Sequence, residues 1–364
     1  MNGLPPGRAG WVDDRRGGSP RLCEHTTFRV GGPAQRLVRA GSEAEIVAAV
    51  QAADAAGEPL LVLSGGSNVL VGDAGFAGTV VLIDNHGLSA EASECGALVR
   101  VAAGENWDDF VSYAIEREWA GVEALSGIPG LVGATPIQNV GAYGQEVAQT
   151  IARVRTWDRH RGELRTFGAD QCGFGYRDSV FKRSRPVDQP TGRYVVLEVC
   201  FQFRLARLSE PIGYAQLAGA LGVGIGRRVP AGEVRSAVLR LRRSKGMVAD
   251  PVDRDSWSAG SFFTNPVLPA ARAGLLPADA PRFPAGDGLV KTSAAWLIDH
   301  AGFGKGFPGR GPARLSSKHV LALTNHADAT AAELIDLARE VRNGVHARFG
   351  VWLEAEPVLV GLAL

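Results

Sequence analysis

Residues 257–266 read WSAGSFFTNP, and the side chain there that could do chemistry is Ser261. It follows the small step Ala259-Gly260, precedes Phe262 and Phe263, and Asn265-Pro266 closes the segment like a turn. A hydroxyl held in apolar surroundings without a hydrogen-bond partner costs roughly 1–3 kcal/mol. The expectation is a serine enclosed by the two rings, satisfied either by backbone or by a ligand. Two glycine-rich stretches offer a different chemistry, the binding of anions by backbone amides. Ser64, Gly65, Gly66, Ser67 and Asn68 break an apolar run, and their small side chains let N–H groups approach an anion closely. Alone, such a stretch reads equally well as a tight turn between strands. Residues 126–144, SGIPGLVGATPIQNVGAYG, supply more amides together with Gln138, Asn139 and Tyr143. So long a loop inside a domain is uncommon unless it has a task. Two loops of this kind can grip a long dinucleotide from two sides. Other nucleotide motifs fail. The glycines ahead of Ile225-Gly226 lack G-x-G-x-x-G spacing and lie between helical segments, and GDGLVKT (286–292) has Val290 where a P-loop needs glycine.

The elements that must position these residues show in the hydrophobic periodicity. Ile46, Val47, Val50 and Ala53 predict a helix, followed by a strand that breaks at Ser64 and another over 79–83, so a first domain ends near residue 85. Strands are predicted in ALVRVAAG, IARVRTWD and YVVLEVCFQF, with a helix carrying Phe110, Val111, Ala114 and Ile115. A helix with Val234, Val238 and Leu241 inward precedes the Ser261 segment. A last helix lines up Leu334, Leu337, Val341 and Val345, and a final strand spans VWLEAEPVLVGL.

At 364 residues the chain exceeds what one core usually organises, which predicts two or three domains. A net charge of +1 gives no electrostatic footprint for nucleic acid or an anionic membrane. The first twenty residues, rich in Gly, Pro and Arg, read as a frayed tail rather than a leader peptide. No apolar run approaches the roughly 20 residues a membrane helix needs. Cys23, Cys95, Cys172 and Cys200 form no C-x-x-C pair, which argues against a metal site and fits a reducing cytoplasm.

Seven stretches in order resemble the UDP-N-acetylenolpyruvoylglucosamine reductase (UDP-N-acetylmuramate dehydrogenase) family: HTTFRVGGPA, LSGGSNVLV, GIPGLVGATPIQNVGAYG, FGYRDSVFK, SAGSFFTNP, AAWLIDHAGFGKG and FGVWLEAEPVLVG. The FGYRDSVFK loop and the GYAQL segment with Tyr214 match its longer, type I form. The resemblance implies an α+β protein: a two-part vanillyl-alcohol-oxidase-like (PCMH-type) FAD-binding fold plus an inserted α+β substrate-binding domain. The implied boundaries are a disordered tail over 1–20, FAD subdomains over 21–86 and over 87–246 with 346–364, and a substrate domain over 247–345. It further implies FAD as cofactor and NADPH as co-substrate, no metal, and reduction of UDP-N-acetylglucosamine enolpyruvyl ether to UDP-N-acetylmuramate. The partners are then small molecules, not nucleic acid or membrane, and the enzyme a cytoplasmic monomer.

Hydride addition to the enolpyruvyl double bond pushes charge onto the neighbouring carboxylate, and fixed donors stabilise such an oxyanion. The resemblance gives this role to Arg177, although local sequence alone reads it as paired with Asp178. It selects Glu356 over Glu354 to share the charge, a choice strand alternation cannot make because both fall on one face. It makes Ser261 the proton donor, with the phenylalanines drying its pocket. FAD contacts are implied for Ser64, Gly65, Gly66, Ser67, Asn68, Gly127, Ile128, Pro129, Gly133, Ala134, Gln138, Asn139, Gly141, Ala142 and Tyr143. Substrate contacts are implied for Tyr214, Lys245, Asn265 and His300. His300 stands where the family usually has glutamine, and its titration could make phosphate binding pH-dependent. A flavin-dependent alcohol or sugar oxidase of the same fold and a non-catalytic flavin or UDP-sugar binder are the alternatives. No His or Cys near SGGSN supports covalent flavin attachment in the first, and a pure binder would not need a proton donor.

Overall fold

The computed structural model describes residues 20–94 and 96–364, so the tail expected over 1–20 lies, Pro20 apart, outside the described residues. The described chain is α+β and divides into two compact units. One holds Ala34–Gly65 and Phe76–Arg243, the other Arg21–Pro33, Gly66–Gly75 and Ser244–Leu364. Residues 346–364 thus group with 247–345 and with the segment Gly66–Gly75.

In the first unit, helix Glu43–Ala55 starts at Ser42, whose hydroxyl accepts from Glu45 N, and buries Ile46, Val50 and Ala53 as its periodicity predicts. It packs on a parallel sheet of order Ala34–Ala40, Phe76–Ile83, Leu60–Leu63. Residues 78–83 of the central strand are buried throughout, which explains why its sequence is a continuous apolar run without alternation. A six-stranded antiparallel sheet follows, in the order Glu163–Gly168, Ile151–Asp158, Tyr194–Leu205, Gly96–Ala102, Leu88–Ser93, with Trp119–Ala120 on the end of the long strand. Helix Trp107–Glu116 lays Phe110 on this sheet, its ring centroid 5.0 Å from Phe201 and 6.1 Å from Phe203. Helix Ala231–Arg243 buries Val234, Ala237 and Val238 with Leu217 and Ala218 of helix Ala215–Leu221.

The second unit is organised by helix Ala331–Phe349, which buries Leu334, Leu337, Val341 and Val345. Its N-terminus carries a capping box between Thr330 and Glu333, and the Asp73 carboxylate accepts from Ala331 N at 2.8 Å and Ala332 N at 3.0 Å. Four otherwise unpaired amides make this end a natural place for such an anion. The sequence predicts a strand through VWLEAEPVLVGL, but only Val358–Val360 is regular, pairing parallel with Val69–Val71. Pro357 has no N–H to continue a ladder. The chain therefore bonds one partner before it, through Glu356 N to Phe262 O, and another after it, through Val358 N to Asn68 O. Glu354 O and Glu356 N bond Thr264 N and Phe262 O on either side of the Phe263–Ala355 bridge, so this stretch is a single bridge and not a regular strand. Among the described residues, no helix is long and apolar enough to cross a membrane.

Candidate active site

In the first unit, the long glycine-rich stretch is not shapeless. It contains a short turn of helix at Val132–Ala134 and a hairpin pairing Gly141–Ala142 with Gln145–Glu146. The two residues at the hairpin tip, Tyr143 and Gly144, have φ of 50° and 87°, the sign a type I′ turn needs at both positions. Asn139 latches the stretch. Its amide donates to Glu146 Oε2 at 2.8 Å and Gly175 O at 3.0 Å, and its carbonyl accepts from Ala148 N at 3.1 Å. With the side chain 1% exposed and engaged this way, Asn139 shapes the loop. Gly127 N donates to the Asp108 carboxylate at 2.6 Å, while Ile128 and Pro129 stay half-exposed. Gly133 sits where a Cβ would lie 2.4 Å from that of Ala103, so only glycine fits; Ala134 and Gln138 are half-buried.

Two features mark an approach between the glycine-rich loops. A Cβ on Gly65 would lie 2.7 Å from Gly130 Cα, and Ser64 Oγ is buried without a hydrogen-bond partner among the described residues. A buried hydroxyl with nothing to bond is costly, so an orphan of this kind beside a glycine cradle points to a missing ligand atom. Tyr143 stands edge-on to Tyr214 at 5.6 Å, which joins the flank of the cradle to a second loop. Burial pushes the Tyr143 hydroxyl above its ordinary range. Burial also pushes the nearby Arg242 guanidinium down to about 10, which leaves it cationic at neutral pH.

Arg177 also belongs to this unit. Its φ is 53°, unusual for a residue with a Cβ, and Nη2 donates to Gly141 O at 2.8 Å. The local reading that pairs it with Asp178 fails, because the Asp178 carboxylate is taken by Arg183. The loop is held from both ends: Lys182 Nζ donates to Arg177 O at 2.8 Å, and Ser179 Oγ donates to Ile137 O at 2.5 Å.

The second unit carries the other residues. Phe262 and Phe263 are buried core residues, their rings 5.1 Å apart, and Phe262 meets Phe28 at 6.4 Å. The rings therefore anchor the segment and do not wall in the serine. Ser261 itself is half-exposed, and its hydroxyl has no hydrogen-bond partner among the described residues. The enclosed serine predicted from the sequence is corrected on this point. Glu356 N donates to Phe262 O at 2.8 Å and Thr264 N to Glu354 O at 3.0 Å, so Ser261 and Glu356 come from adjacent positions of one short ladder. Asn68 joins them, its amide donating to Glu356 O at 3.3 Å. Gly66, with φ of 59°, presses on His25 O, where a Cβ would lie 1.9 Å away, and Ser67 is half-buried.

Asn265 Oδ1 accepts from Ala294 N at 2.9 Å, at the start of helix Ala294–His300. At the far end of that helix His300 stacks on Trp296 at 3.9 Å, with Asp279 and Asp299 each 3.9 Å away. Carboxylates beside it make poor company for a phosphate. Lys245 keeps different neighbours: His319 lies within reach of the charges of Lys245 and Lys305. Burial first, then the two ammonium groups, push the His319 imidazole down to about 4. Between His319's ordinary value near 6.5 and that lower one, the unfolded chain binds a proton that the folded chain refuses, so folding stability falls as pH drops from about 6.5 towards 4. Urea unfolding of wild type and His319→Gln across that range checks this. The wild type is expected to lose stability more steeply, and equal slopes would exclude His319 as the cause. The sequence reading missed His319 and Lys305, and also Glu123, a fully buried carboxylate whose signal was one acid within the apolar run Val122–Leu125.

Comparison with known proteins places this geometry in a family. Residues 34–168 match the profile described as FAD binding domain, and residues 250–360 that of the UDP-N-acetylenolpyruvoylglucosamine reductase C-terminal domain. The chain is 58% identical over 346 residues to UDP-N-acetylenolpyruvoylglucosamine reductase of Cutibacterium acnes, covering 94% of this chain and 90% of that one. It is 52% identical over 354 residues to the protein of the same name from Thermobifida fusca, covering 94% and 97%. Its fold is similar to the solved UDP-N-acetylenolpyruvylglucosamine reductase of Thermus caldophilus, with a TM-score of 0.62 at 24% identity over 94% of this chain and 98% of that one. Identity of this extent over nearly the whole of both chains has one reading: the chain belongs to the UDP-N-acetylenolpyruvoylglucosamine reductase family.

Proposed function

We propose that this chain catalyses the NADPH-dependent, FAD-mediated reduction of UDP-N-acetylglucosamine enolpyruvyl ether to UDP-N-acetylmuramate. The observation that carries the reading is Ser261: a half-exposed hydroxyl without a hydrogen-bond partner among the described residues, one residue from the ladder bond of Glu356. The residues present fit FAD. The Ser64 hydroxyl lacks a partner among the described residues, Gly65 leaves room for nothing larger against Gly130, and the Tyr143 hairpin supplies further amides. Ser64 to Asn68, Gly127 to Pro129, Gly133, Ala134, Gln138, Gly141, Ala142 and Tyr143 would hold it, with Asn139 fixing the loop. Held there, FAD would supply two-electron chemistry, linking oxidation of NADPH to hydride addition at the enolpyruvyl double bond.

The chain's own residues manage the charge that results. Arg177 grips the substrate carboxylate as it gains enolate character, since a guanidinium stays charged and bonds both oxygens. Glu356 shares that charge through a hydrogen bond, and Ser261 gives its proton to the carbon bearing the carboxylate. Tyr214, Lys245 and Asn265 bind the UDP-sugar, and the ammonium groups of Lys245 and Lys305, with a neutral His319 between their charges, favour the diphosphate side. His300 stays outside phosphate binding. A cytoplasmic monomer acting on small molecules is the form proposed.

The test is a purified sample, its visible spectrum, and NADPH oxidation with and without the enolpyruvyl ether. A yellow protein whose NADPH oxidation depends on the ether is expected. Oxygen-dependent turnover of an alcohol or sugar would replace this reading with an oxidase. Flavin without turnover would leave a binder.

A further inference from the structure

The buried Glu123 carboxylate takes no part in the chemistry above, yet it lies where three segments meet. It is 0% exposed. Oε2 accepts from Gly121 N at 2.7 Å, and Oε1 accepts from Gln145 Nε2 at 2.9 Å and from Glu210 N at 2.6 Å. Gln145 closes the Tyr143 hairpin and returns a bond of its own, its carbonyl accepting from Ala124 N at 2.7 Å. Glu210 lies four residues before Tyr214, in the segment leading to helix Ala215–Leu221. A third tie exists at the tips, where the Tyr143 and Tyr214 rings meet edge-on at 5.6 Å. All of these residues belong to the first unit.

A buried carboxylate demands donors, because leaving it under-bonded costs more than any one of its bonds contributes. Here the donors Gly121, Gln145 and Glu210 come from three different stretches of the chain, so moving either loop strips Glu123 of a partner. We propose that Glu123 is a positioning residue that fixes the Tyr214 loop against the Tyr143 hairpin and thereby sets the affinity for the UDP-sugar, without touching it. The proposal rests on the reading of Tyr214 as a substrate contact. Glu210 also receives Arg204 and Arg228 through its side chain, so its carboxylate and its backbone N–H do different work and can be separated by mutation.

The experiment compares four single variants and one double variant of the full flavin-loaded protein. Glu123→Gln keeps the size but turns one acceptor into a donor facing another donor. Its KM for the enolpyruvyl ether is expected to rise at least tenfold with kcat changed less than threefold and an unaltered flavin spectrum. If this variant does not fold, Glu210→Pro removes only the N–H end of the same bond along with the side chain, and Glu210→Ala removes the side chain alone. The proline variant is expected to reproduce the KM rise, and the alanine variant to stay within about threefold of wild type. In a Tyr214→Ala background, Glu123→Gln should add less than a further twofold to KM, because the loop no longer presents its side chain. An unchanged KM in Glu123→Gln or Glu210→Pro, a loss confined to kcat, or multiplicative effects with Tyr214→Ala would overturn the proposal. A Tyr214→Ala variant with wild-type KM would instead overturn the assignment of Tyr214 to the substrate.

Discussion

Ser261→Ala is expected to lower turnover of the enolpyruvyl ether by roughly 10²- to 10⁴-fold, the range removal of a positioned proton donor gives, while NADPH should still bleach the flavin at the wild-type rate. The separation follows from where the serine is anchored. Phe262 N donates to Leu321 O at 2.7 Å, Phe262 O accepts from Glu356 N, and both phenylalanine rings are core residues. None of these contacts uses the Ser261 hydroxyl, so alanine leaves the segment in place, and stability should stay within about 0.5 kcal/mol of wild type. Stopped-flow absorbance at the flavin band gives the first rate and steady-state NADPH oxidation the second. Turnover within threefold of wild type would remove Ser261 from the mechanism. Loss of both rates together would make its role one of binding or folding.

Much of this was legible from the chain alone, and the parts that were not share a physical cause. The helices at Glu43–Ala55 and Ala331–Phe349 announced themselves because one apolar stripe at helical period must be buried, and caps at Ser42 and Thr330 mark their starts. Glycine-rich loops were visible as composition, but their shape was not. The I′ hairpin at Tyr143-Gly144 depends on the φ of Tyr143, a residue that favours no such turn by itself. Ser261 was expected to be enclosed and is half-exposed instead. Consecutive residues of an irregular segment need not share one environment, and here the two rings turn into the core while the serine remains half-exposed. The strand expected through Glu354 and Glu356 failed at Pro357, where a missing N–H forces a change of partner. Glu123 escaped because its donors arrive from Gln145 and Glu210, 22 and 87 residues away, and long-range hydrogen bonds leave no periodic trace.

Arg177→Lys supplies the sharpest test of the charge-stabilising half of the site. The substitution keeps one positive charge on a long flexible side chain and keeps a Cβ, so the positive φ of 53° costs no more than before. What it removes is the planar fork. In the structure one arm of that fork donates to Gly141 O at 2.8 Å, which holds the guanidinium plane on the Tyr143 hairpin. A lysine ammonium is a point donor and cannot brace on that carbonyl while meeting both oxygens of a carboxylate. The expected result is a fall in kcat of about 10²- to 10³-fold, the loss typical when a preorganised oxyanion donor is removed. KM for the enolpyruvyl ether should change less than kcat, because the bond strengthens as charge develops on the carboxylate. Flavin reduction by NADPH should stay near wild type. Asp178→Asn serves as the internal comparison, since Asp178 is engaged by Arg183 and lies one residue away. If Arg177 acted only by shaping its loop, Arg177→Lys and Asp178→Asn would impair kcat alike. A lysine variant within threefold of wild-type kcat would show that charge alone, without the fork, is sufficient.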